Sequence, residues 1–408
     1  MASSSLSFSE HWLLATTMAL ICGSLSYIVY DAIMATASEL LQRLLMISPL
    51  LLILIVHCLS TATAKSGENY DQSYDDDDDD KQYGSSSPGD TIFTLQVPKL
   101  DENTLDNLLS FGYYRKSCPQ FESILHRKVK EWIQKDTSLG ASLLRLHFHD
   151  CAVRGCDGSI LLNHEKSERR AKASKTLRGF EVIDDIKSEV EKQCPKTVSC
   201  ADILTAAARD ATVELGGPYW AVAYGRKDGR VSIAEEGELV PMGHENMTSL
   251  IEIFQSMGLN VLDLVVLSGA HTIGRASCGS IQDRIYNYQG TGKPDPSIDP
   301  KYLNFLQRKC RWASDYVHLD ATTPNTFDPL YFINLKKKMG LLYTDQLLYS
   351  DSRTSPLVSA LVGGLPTNPS SLLFNRQFAV SMAKLANVGV LTVQDEGEIR
   401  TNCNFLNA

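Results

Sequence analysis

Apolar residues recur every three or four positions in most segments after residue 105, and charged residues fill the positions between them. This spacing places the apolar side chains on one face of an amphipathic α-helix. No segment alternates long enough to predict a sustained strand, so we expect at most a short hairpin or two in loops. Several segments begin at Ser, Asp or Pro and end near Gly, as helix capping favours. The predicted helices are Phe121–Ile133, Leu139–Phe148, Gly179–Cys194, Ser199–Leu215, Met247–Met257, Val261–Leu267, Ser277–Tyr286, Asp299–Cys310, Pro329–Met339 and Ser371–Val388. The predicted fold is therefore mostly α, with two lobes.

The N-terminal 64 residues have a different, apolar pattern. Trp12–Tyr30 is uncharged and only just long enough to span a bilayer. Leu44–Leu59 is strongly apolar and is followed by the small residues Ala62-Thr63-Ala64, which is the form of a secretory signal with its cleavage site. We expect a signal peptide that ends at Ala64, with residues 1–45 as an upstream extension. The alternative is an uncleaved leader that anchors the protein in a membrane.

Residues 65–97 are rich in Gly, Ser and Asp and include six consecutive aspartates, Asp75–Asp80. Such a run repels itself and buries little apolar surface, so it predicts a disordered acidic linker. The whole chain carries a net charge of −9, and the leader and the linker together account for all of it. Residues 98–408, the predicted folded domain, have no basic excess, which argues against a nucleic-acid partner.

Eight of the ten cysteines lie in the predicted domain. An even set of this size predicts four disulfides and an oxidising compartment, although the spacing leaves their connectivity open. A zinc site is a poor alternative because no C-x-x-C pair accompanies these cysteines.

The most informative stretch begins at Arg145. Arg145 and His149 are four residues apart, so they share one face of a helix. A fixed cation beside an imidazole suits a reaction that moves a proton while negative charge develops. His147, two residues from His149, must point elsewhere. The oxygen donors that follow suit Ca²⁺, and they are Asp150, Val153, Gly155, Asp157 and Ser159.

The motif RLHFHDC, which begins at Arg145, and the motif GCDGS, which ends at Ser159, together resemble the plant secretory (class III) haem peroxidases. The resemblance covers about Phe111–Cys403 and is strongest to the branch called peroxidase 7. It implies a two-lobed plant-type peroxidase fold with haem b between the lobes and two Ca²⁺ ions. The disulfides that it implies are Cys118–Cys194, Cys151–Cys156, Cys200–Cys403 and Cys278–Cys310.

The resemblance also assigns roles to single residues. Arg145 and His149 match the family's distal acid–base pair, and His271 matches the axial ligand of the haem iron. Asp345 matches the carboxylate that binds the other ring nitrogen of that ligand. From the residues alone, His271 could be a satisfied core histidine and Asp345 a helix N-cap. The small residues beside His271 would let a flat group approach closely.

Pro241 matches a residue at the family's donor channel. The second calcium site would comprise Thr272, Asp320, Thr323, Thr326 and Asp328, which could equally be turn caps.

The chain departs from the family at several places. The loop Arg169–Leu177 lacks the asparagine that often binds the distal histidine, and Ala173 or Ser174 stands near its place. Glu168 is retained and would support the first calcium through water. Leu319 replaces an aromatic residue beside the axial histidine. His244 and Ser280 stand where well-studied relatives carry phenylalanine, which leaves the donor preference open.

The function implied by the resemblance is oxidation of small phenolic donors by hydrogen peroxide in one-electron steps. The implied protein is a monomer secreted to the cell wall, without stable membrane association if the leader is cleaved. Asn246 begins the chain's N-glycosylation sequon. A rival hypothesis is a haem-bearing binding or structural component of the wall with little turnover. A calcium protein without haem is a third.

Overall fold

The computed structural model describes residues 109–362, 369–392 and 396–408. The predicted leader (1–64) and acidic linker (65–97) lie outside the described residues. The α-helices of the described part are α1 Phe121–Lys135, α2 Ser138–Ala152, α3 Phe180–Gln193, α4 Cys200–Glu214, α5 Met247–Ser256, α6 Val261–Ser268, α7 Gln282–Tyr286, α8 Pro300–Lys309, α9 Leu330–Lys336, α10 Tyr343–Ser350, α11 Ser355–Val362 and α12 Pro369–Leu385. The prediction of a mostly α fold is confirmed.

Two three-residue strands form the one sheet of the described residues. β1 (Arg275–Ser277) pairs antiparallel with β2 (Tyr316–His318), with Ala276 opposite Val317. The expectation of little strand is therefore confirmed, although the strands come from distant segments and do not form a hairpin.

This pairing corrects one predicted helix. The segment Ser277–Tyr286 was expected to be helical throughout, but it begins at the end of β1 and passes through a 3₁₀ turn before α7 starts at Gln282. The backbone N–H of Cys278 donates to Asp315 O over 2.7 Å, and that of Gly279 donates to Ala313 O over 2.9 Å. Tertiary pairing thus outweighs the local helical periodicity.

The main core lies where α2 packs along α4. Every residue of α4 from Cys200 to Thr212 is buried, as its alanine-rich sequence allows. Gly140 permits the close approach, because a Cβ there would lie 2.5 Å from Leu215 Cδ1. α1 contributes Phe121, Leu125 and Val129 to the same core. A smaller core forms around the Cys278–Cys310 disulfide and contains Ile281, Ile285, Ile298, Tyr302, Leu306, Val317 and Leu341.

All four disulfides expected from the resemblance are present: Cys118–Cys194, Cys151–Cys156, Cys200–Cys403 and Cys278–Cys310. Cross-links of this kind each stabilise a fold by about 2–4 kcal/mol, and more when they close a long loop. Cys200–Cys403 closes a separation of 203 residues, so it ties the start of α4 to the C-terminal segment.

A buried ion pair reinforces the start of α4. Arg226 Nη1 donates to Asp202 Oδ1 over 2.7 Å, and Tyr114 OH donates to Asp202 Oδ2 over 2.7 Å. All three side chains are buried, so loss of either Asp202 or Arg226 would leave an uncompensated charge.

Within the described ranges, no single helix has the length and apolar character needed to cross a bilayer. One pair, Met247–Ser256 with Val261–Thr272, would pass only when taken together across a bend of 105°.

Candidate active site

α2 carries the first half of the site. It continues four residues beyond its predicted end at Phe148, so Arg145 and His149 both lie on the helix. Asp136 anchors its N-terminal end by accepting the Ser138 N–H over 2.9 Å. Arg145 is accessible to solvent, and its guanidinium donates to Ala173 O and to Thr176 Oγ1, each over 2.9 Å. The loop Arg169–Leu177 thus holds the Arg145 side chain in position.

His149 is buried, and its Nδ1 has no hydrogen-bond partner among the described residues. Burial lowers the pKa of His149 well below its ordinary value, and the neighbouring Arg145 charge lowers it further. The imidazole is therefore neutral at physiological pH and can accept a proton.

His147 faces away from this pair, as the helical spacing predicted. It is buried against the Cys151–Cys156 disulfide, with Nδ1 3.6 Å from Cys151 Sγ. Burial lowers the pKa of His147 to about 3, with a smaller contribution from Arg226. These three residues are close enough to hold a metal, but both sulfurs are already joined to each other.

His271 carries the second half. It lies in a 3₁₀ turn that continues α6, and its Nδ1 is 2.8 Å from Asp345 Oδ1. Asp345 is buried and also accepts from Tyr331 OH and from the Leu342 N–H, each over 2.9 Å. Burial raises the pKa of Asp345, but His271 and these hydrogen bonds outweigh it, so the pKa lies below its usual value. His271 is left with Nε2 for a ligand, and its side chain is 35% exposed.

The interpretation of Asp345 as a helix N-cap is wrong, because the N-cap of α10 is Leu342 and Asp345 is the third residue of the helix. From that position one carboxylate oxygen accepts the backbone N–H of Leu342, and the other lies 2.8 Å from Nδ1 of His271. The expectation that the small residues beside His271 let a flat group approach stays a prediction, and one of them, Gly269, also has a packing role. A Cβ on Gly269 would lie 2.5 Å from Phe374 and 2.9 Å from Phe332. Gly269 is therefore small because α6 packs closely against aromatic residues of α9 and α12.

Two contacts bring the halves together. A Cβ on Gly274, three residues after His271, would lie 3.0 Å from Ala141 Cβ, one turn before Arg145 on α2. Phe148 stacks with Phe254 of α5 at a centroid distance of 6.1 Å, and α5 packs against α6. The Arg145 face of α2 is therefore adjacent to the segment that carries His271.

The loop after α2 concentrates buried negative charge. Asp150, Asp157 and Glu168 are all buried, and Ser159 Oγ and Glu168 Oε2 have no partner in the described chain. Burial raises the pKa of Asp150 and of Asp157, and it raises that of Glu168 to about 8. Carboxylates and a free hydroxyl crowded in this way suit a divalent cation with oxygen ligands. The Val153 and Gly155 carbonyls belong to the same loop.

The backbone of this loop is locked. Gly155 has φ +117°, and a Cβ there would lie 2.5 Å from the Gly389 carbonyl. The Cys156 N–H donates to Val388 O over 2.8 Å. The chain after α12 thus fixes the loop.

The second proposed calcium set also converges. Thr272 Oγ1 lies 3.4 Å from Asp320 Oδ2 and 3.3 Å from Thr326 O. Thr323 Oγ1 lies 3.1 Å from Asp328 Oδ1. Burial raises the pKa of Asp328, which again fits an oxygen site suited to a cation.

Sequence reasoning missed two supporting residues of α9. Tyr331 donates to Asp345, and Asn334 Nδ2 donates to Asp320 Oδ1 over 2.8 Å. Both are buried polar residues in a helix that is otherwise apolar on that face. Their only signal in the sequence is their polarity at helical core positions.

The segment around Pro241 lies beside both halves. Met242 packs against a small cluster that contains Val153 and Ala173. Gly243 O accepts from the Thr344 N–H over 3.3 Å, one residue before Asp345. His244 is exposed, whereas Ser280 Oγ is committed to Ser277 O over 2.6 Å.

Comparison with known proteins gives a consistent result. A family model described as peroxidase matches residues 125–363. The chain is 61% identical over 305 residues to Peroxidase 7 of Arabidopsis thaliana, which covers 74% of this chain and 86% of that protein. It is 44% identical over 306 residues to Peroxidase 28 of the same plant, covering 73% of this chain and 93% of that protein. For Peroxidase N1 of Nicotiana tabacum the identity is 44% over 301 residues, covering 72% of this chain and 90% of that protein. The chain therefore belongs to the peroxidase family, as one of its plant class III haem enzymes that use hydrogen peroxide.

Proposed function

We propose that this enzyme oxidises small phenolic donors in one-electron steps, with Arg145 and His149 as its distal pair. The observation that carries the proposal is the state of His149. It is buried, its pKa lies well below the ordinary value, and it is one helical turn from a fixed cation. A neutral base beside a guanidinium is what heterolysis of an O–O bond requires.

His271 would hold the haem iron through Nε2, because Asp345 already occupies Nδ1. Haem bound there would supply the redox chemistry of peroxide cleavage. The buried Asp345 carboxylate would keep the ligand electron-rich by accepting the Nδ1–H.

His149 Nε2 would take the proton from the near oxygen of hydrogen peroxide and return it to the departing oxygen. Arg145 would stabilise the negative charge that grows on that oxygen. Two phenols would each give one electron and one proton, so that one peroxide yields two waters and two phenoxyl radicals. Phe148, half-buried beside His149, would restrict bulky donors to the haem edge, and Pro241 would line their approach.

The oxygen clusters would hold two Ca²⁺ ions. The first set is Asp150, Val153, Gly155, Asp157 and Ser159, with Glu168 in support, and the second is Thr272, Asp320, Thr323, Thr326 and Asp328. The buried carboxylates of the first loop favour this assignment, since a divalent cation would relieve their repulsion.

Arg145→Leu tests the assignment of the distal pair. In stopped-flow mixing with hydrogen peroxide, loss of the guanidinium should slow formation of the oxidised haem by about 10²–10³-fold. Arg353→Leu, which removes an exposed arginine paired with Asp351, is the matched control and should react like the wild type. An Arg145→Leu rate near that of the wild type would contradict the assignment. A wild-type protein with a Soret band but no peroxide-dependent guaiacol oxidation would favour a haem-bearing wall component.

We also propose that the enzyme is a secreted monomer of the cell wall, released after Ala64 and not stably bound to membranes. Apolar Leu44–Leu59 before a small-residue site supports this, as does the four-disulfide domain. N-terminal sequencing of secreted protein should begin at Lys65. A start well before Lys65 would favour the membrane-anchored alternative.

A further inference from the structure

Two buried polar atoms, one in the proposed distal pair and one in the loop packed against α2, lack hydrogen-bond partners. They are Nδ1 of His149 and Oγ of Ser174, and neither finds a hydrogen bond within the described residues. The residues are 3% and 4% exposed, so bulk water does not compensate them. An unsatisfied buried group of this kind costs about 1–3 kcal/mol.

The loop that carries Ser174 is held against the same face of α2. Arg145, one turn before His149, donates to the carbonyl of Ala173 over 2.9 Å. Phe148 and Ala152 of α2 pack against the cluster that contains Ala173. Ser174 follows Ala173 directly, so it belongs to the segment that packs against the residues of α2 on either side of His149.

The backbone of Ser174 is already committed. Its N–H donates to Ala171 O, and its carbonyl accepts from the Leu177 N–H, each over 3.0 Å. Only the hydroxyl is uncommitted, and a hydroxyl can accept from an imidazole N–H directly or through one ordered water.

We propose that Ser174 is the positioning residue for His149. Its hydroxyl accepts the Nδ1–H through a single bridging water. This hydrogen bond selects the tautomer that carries its lone pair on Nε2, the atom that must receive the peroxide proton. The inference rests on the proposed role of His149. In the loop Arg169–Leu177, which lacks asparagine, the Ser174 hydroxyl and one water would thus replace a side-chain amide.

Four variants and one control test the proposal. Ser174→Ala removes the hydroxyl, Ser174→Asn supplies an amide that reaches further, and Ser174→Thr and Ser174→Val form an isosteric pair with and without a hydroxyl. Ser297→Ala is the control, because Ser297 Oγ is also a buried atom without a hydrogen-bond partner in the described ranges, but this residue precedes Ile298 of the smaller core. The isosteric pair keeps the test valid if Ser174→Ala does not fold.

The first readout is the rate constant for reaction with hydrogen peroxide at one neutral pH. We expect Ser174→Ala and Ser174→Val to be about tenfold slower than the wild type, at the lower end of losses seen when a supporting hydrogen bond is removed. Ser174→Thr and Ser174→Asn should retain the rate, and Ser297→Ala should match the wild type. The rate of donor oxidation should not change in any of them.

The second readout is ¹⁵N NMR of the His149 ring in the diamagnetic ferrous carbonyl form. The wild type should carry its proton on Nδ1, and Ser174→Val should show a mixture of tautomers. Equal rates and equal tautomers in the Thr and Val variants would overturn the proposal. If the wild type itself fails to react with peroxide, the assignment of His149 fails instead, and the ring spectra still decide whether Ser174 orients it.

Discussion

The two histidines of the site have opposite hydrogen-bonding environments. His271 Nδ1 lies 2.8 Å from a buried carboxylate that is itself held by Tyr331 and by the Leu342 N–H. His149 Nδ1 has no partner within the described chain and lies beside a cation. The same side chain is thus made electron-rich at one position and neutral at the other. This contrast shows that the surroundings of each histidine, more than the residue type, suit His271 to bind iron and His149 to act as a base.

The largest effect should come from His149→Ala. Loss of a positioned base should slow the reaction with hydrogen peroxide by about 10²–10⁴-fold, while the absorbance of bound haem stays unchanged. Stopped-flow kinetics and the Soret band measure the two properties separately. If haem binding fell together with the rate, His149 would contribute to holding the haem, and its role would not be separate from that of His271.

Asp345→Asn should act on the opposite side. The amide keeps an oxygen for the Leu342 N–H but loses the charge that faces His271, so haem affinity or activity should fall by about 10–100-fold. Haem transfer to a competing apoprotein measures the affinity. Asp299→Asn, at the N-cap of α8, is the matched control for helix capping and should leave haem retention unchanged. If the Asp345→Asn protein retained haem like the wild type, the carboxylate beside His271 would not contribute to haem binding.

Calcium should sharpen the comparison, because each histidine is followed directly by a proposed calcium ligand, Asp150 or Thr272. Removal of calcium by a chelator should lower the free energy of unfolding by about 2.7 kcal/mol for each site, if free calcium had been 100 times the Kd of that site. Asp157→Asn should impair mainly the peroxide rate, and Asp328→Asn mainly haem retention. Thermal unfolding with and without EGTA measures the first effect. Identical behaviour of the two variants in both assays would show that the sites do not act locally.

The last prediction concerns His147, the buried histidine that serves neither role, and it leaves activity at neutral pH unchanged. Its pKa of about 3 in the folded protein lies below the ordinary 6.5, so the unfolded chain binds a proton that the folded chain does not. Stability should therefore fall as the pH drops from 6.5 towards 3, by up to about 1.4 kcal/mol per pH unit from this group. His147→Leu should flatten the dependence of the melting temperature on pH without slowing the peroxide reaction. A wild-type slope in the His147→Leu protein would contradict the role given to His147.

Much of this arrangement could be predicted from local sequence. The i, i+4 spacing placed Arg145 and His149 on one face, and the periodicity of α4 indicated a buried helix. The contact of His271 with Asp345 joins residues 74 positions apart, so only the resemblance suggested it. Tyr331 looked like an ordinary residue of α9 because its partner comes from another helix. The strand at Arg275–Ser277 depends on pairing with Tyr316–His318, which no local period reveals.

The close approach of Gly155 and Gly389 has a genetic consequence. A methyl group on either residue would meet the main chain of the other, and both have positive φ angles. Missense alleles at the two codons should therefore share one phenotype, displacement of the first proposed calcium loop, although only Gly155 is itself a proposed ligand residue. A survey that scored only ligand residues would overlook the second codon.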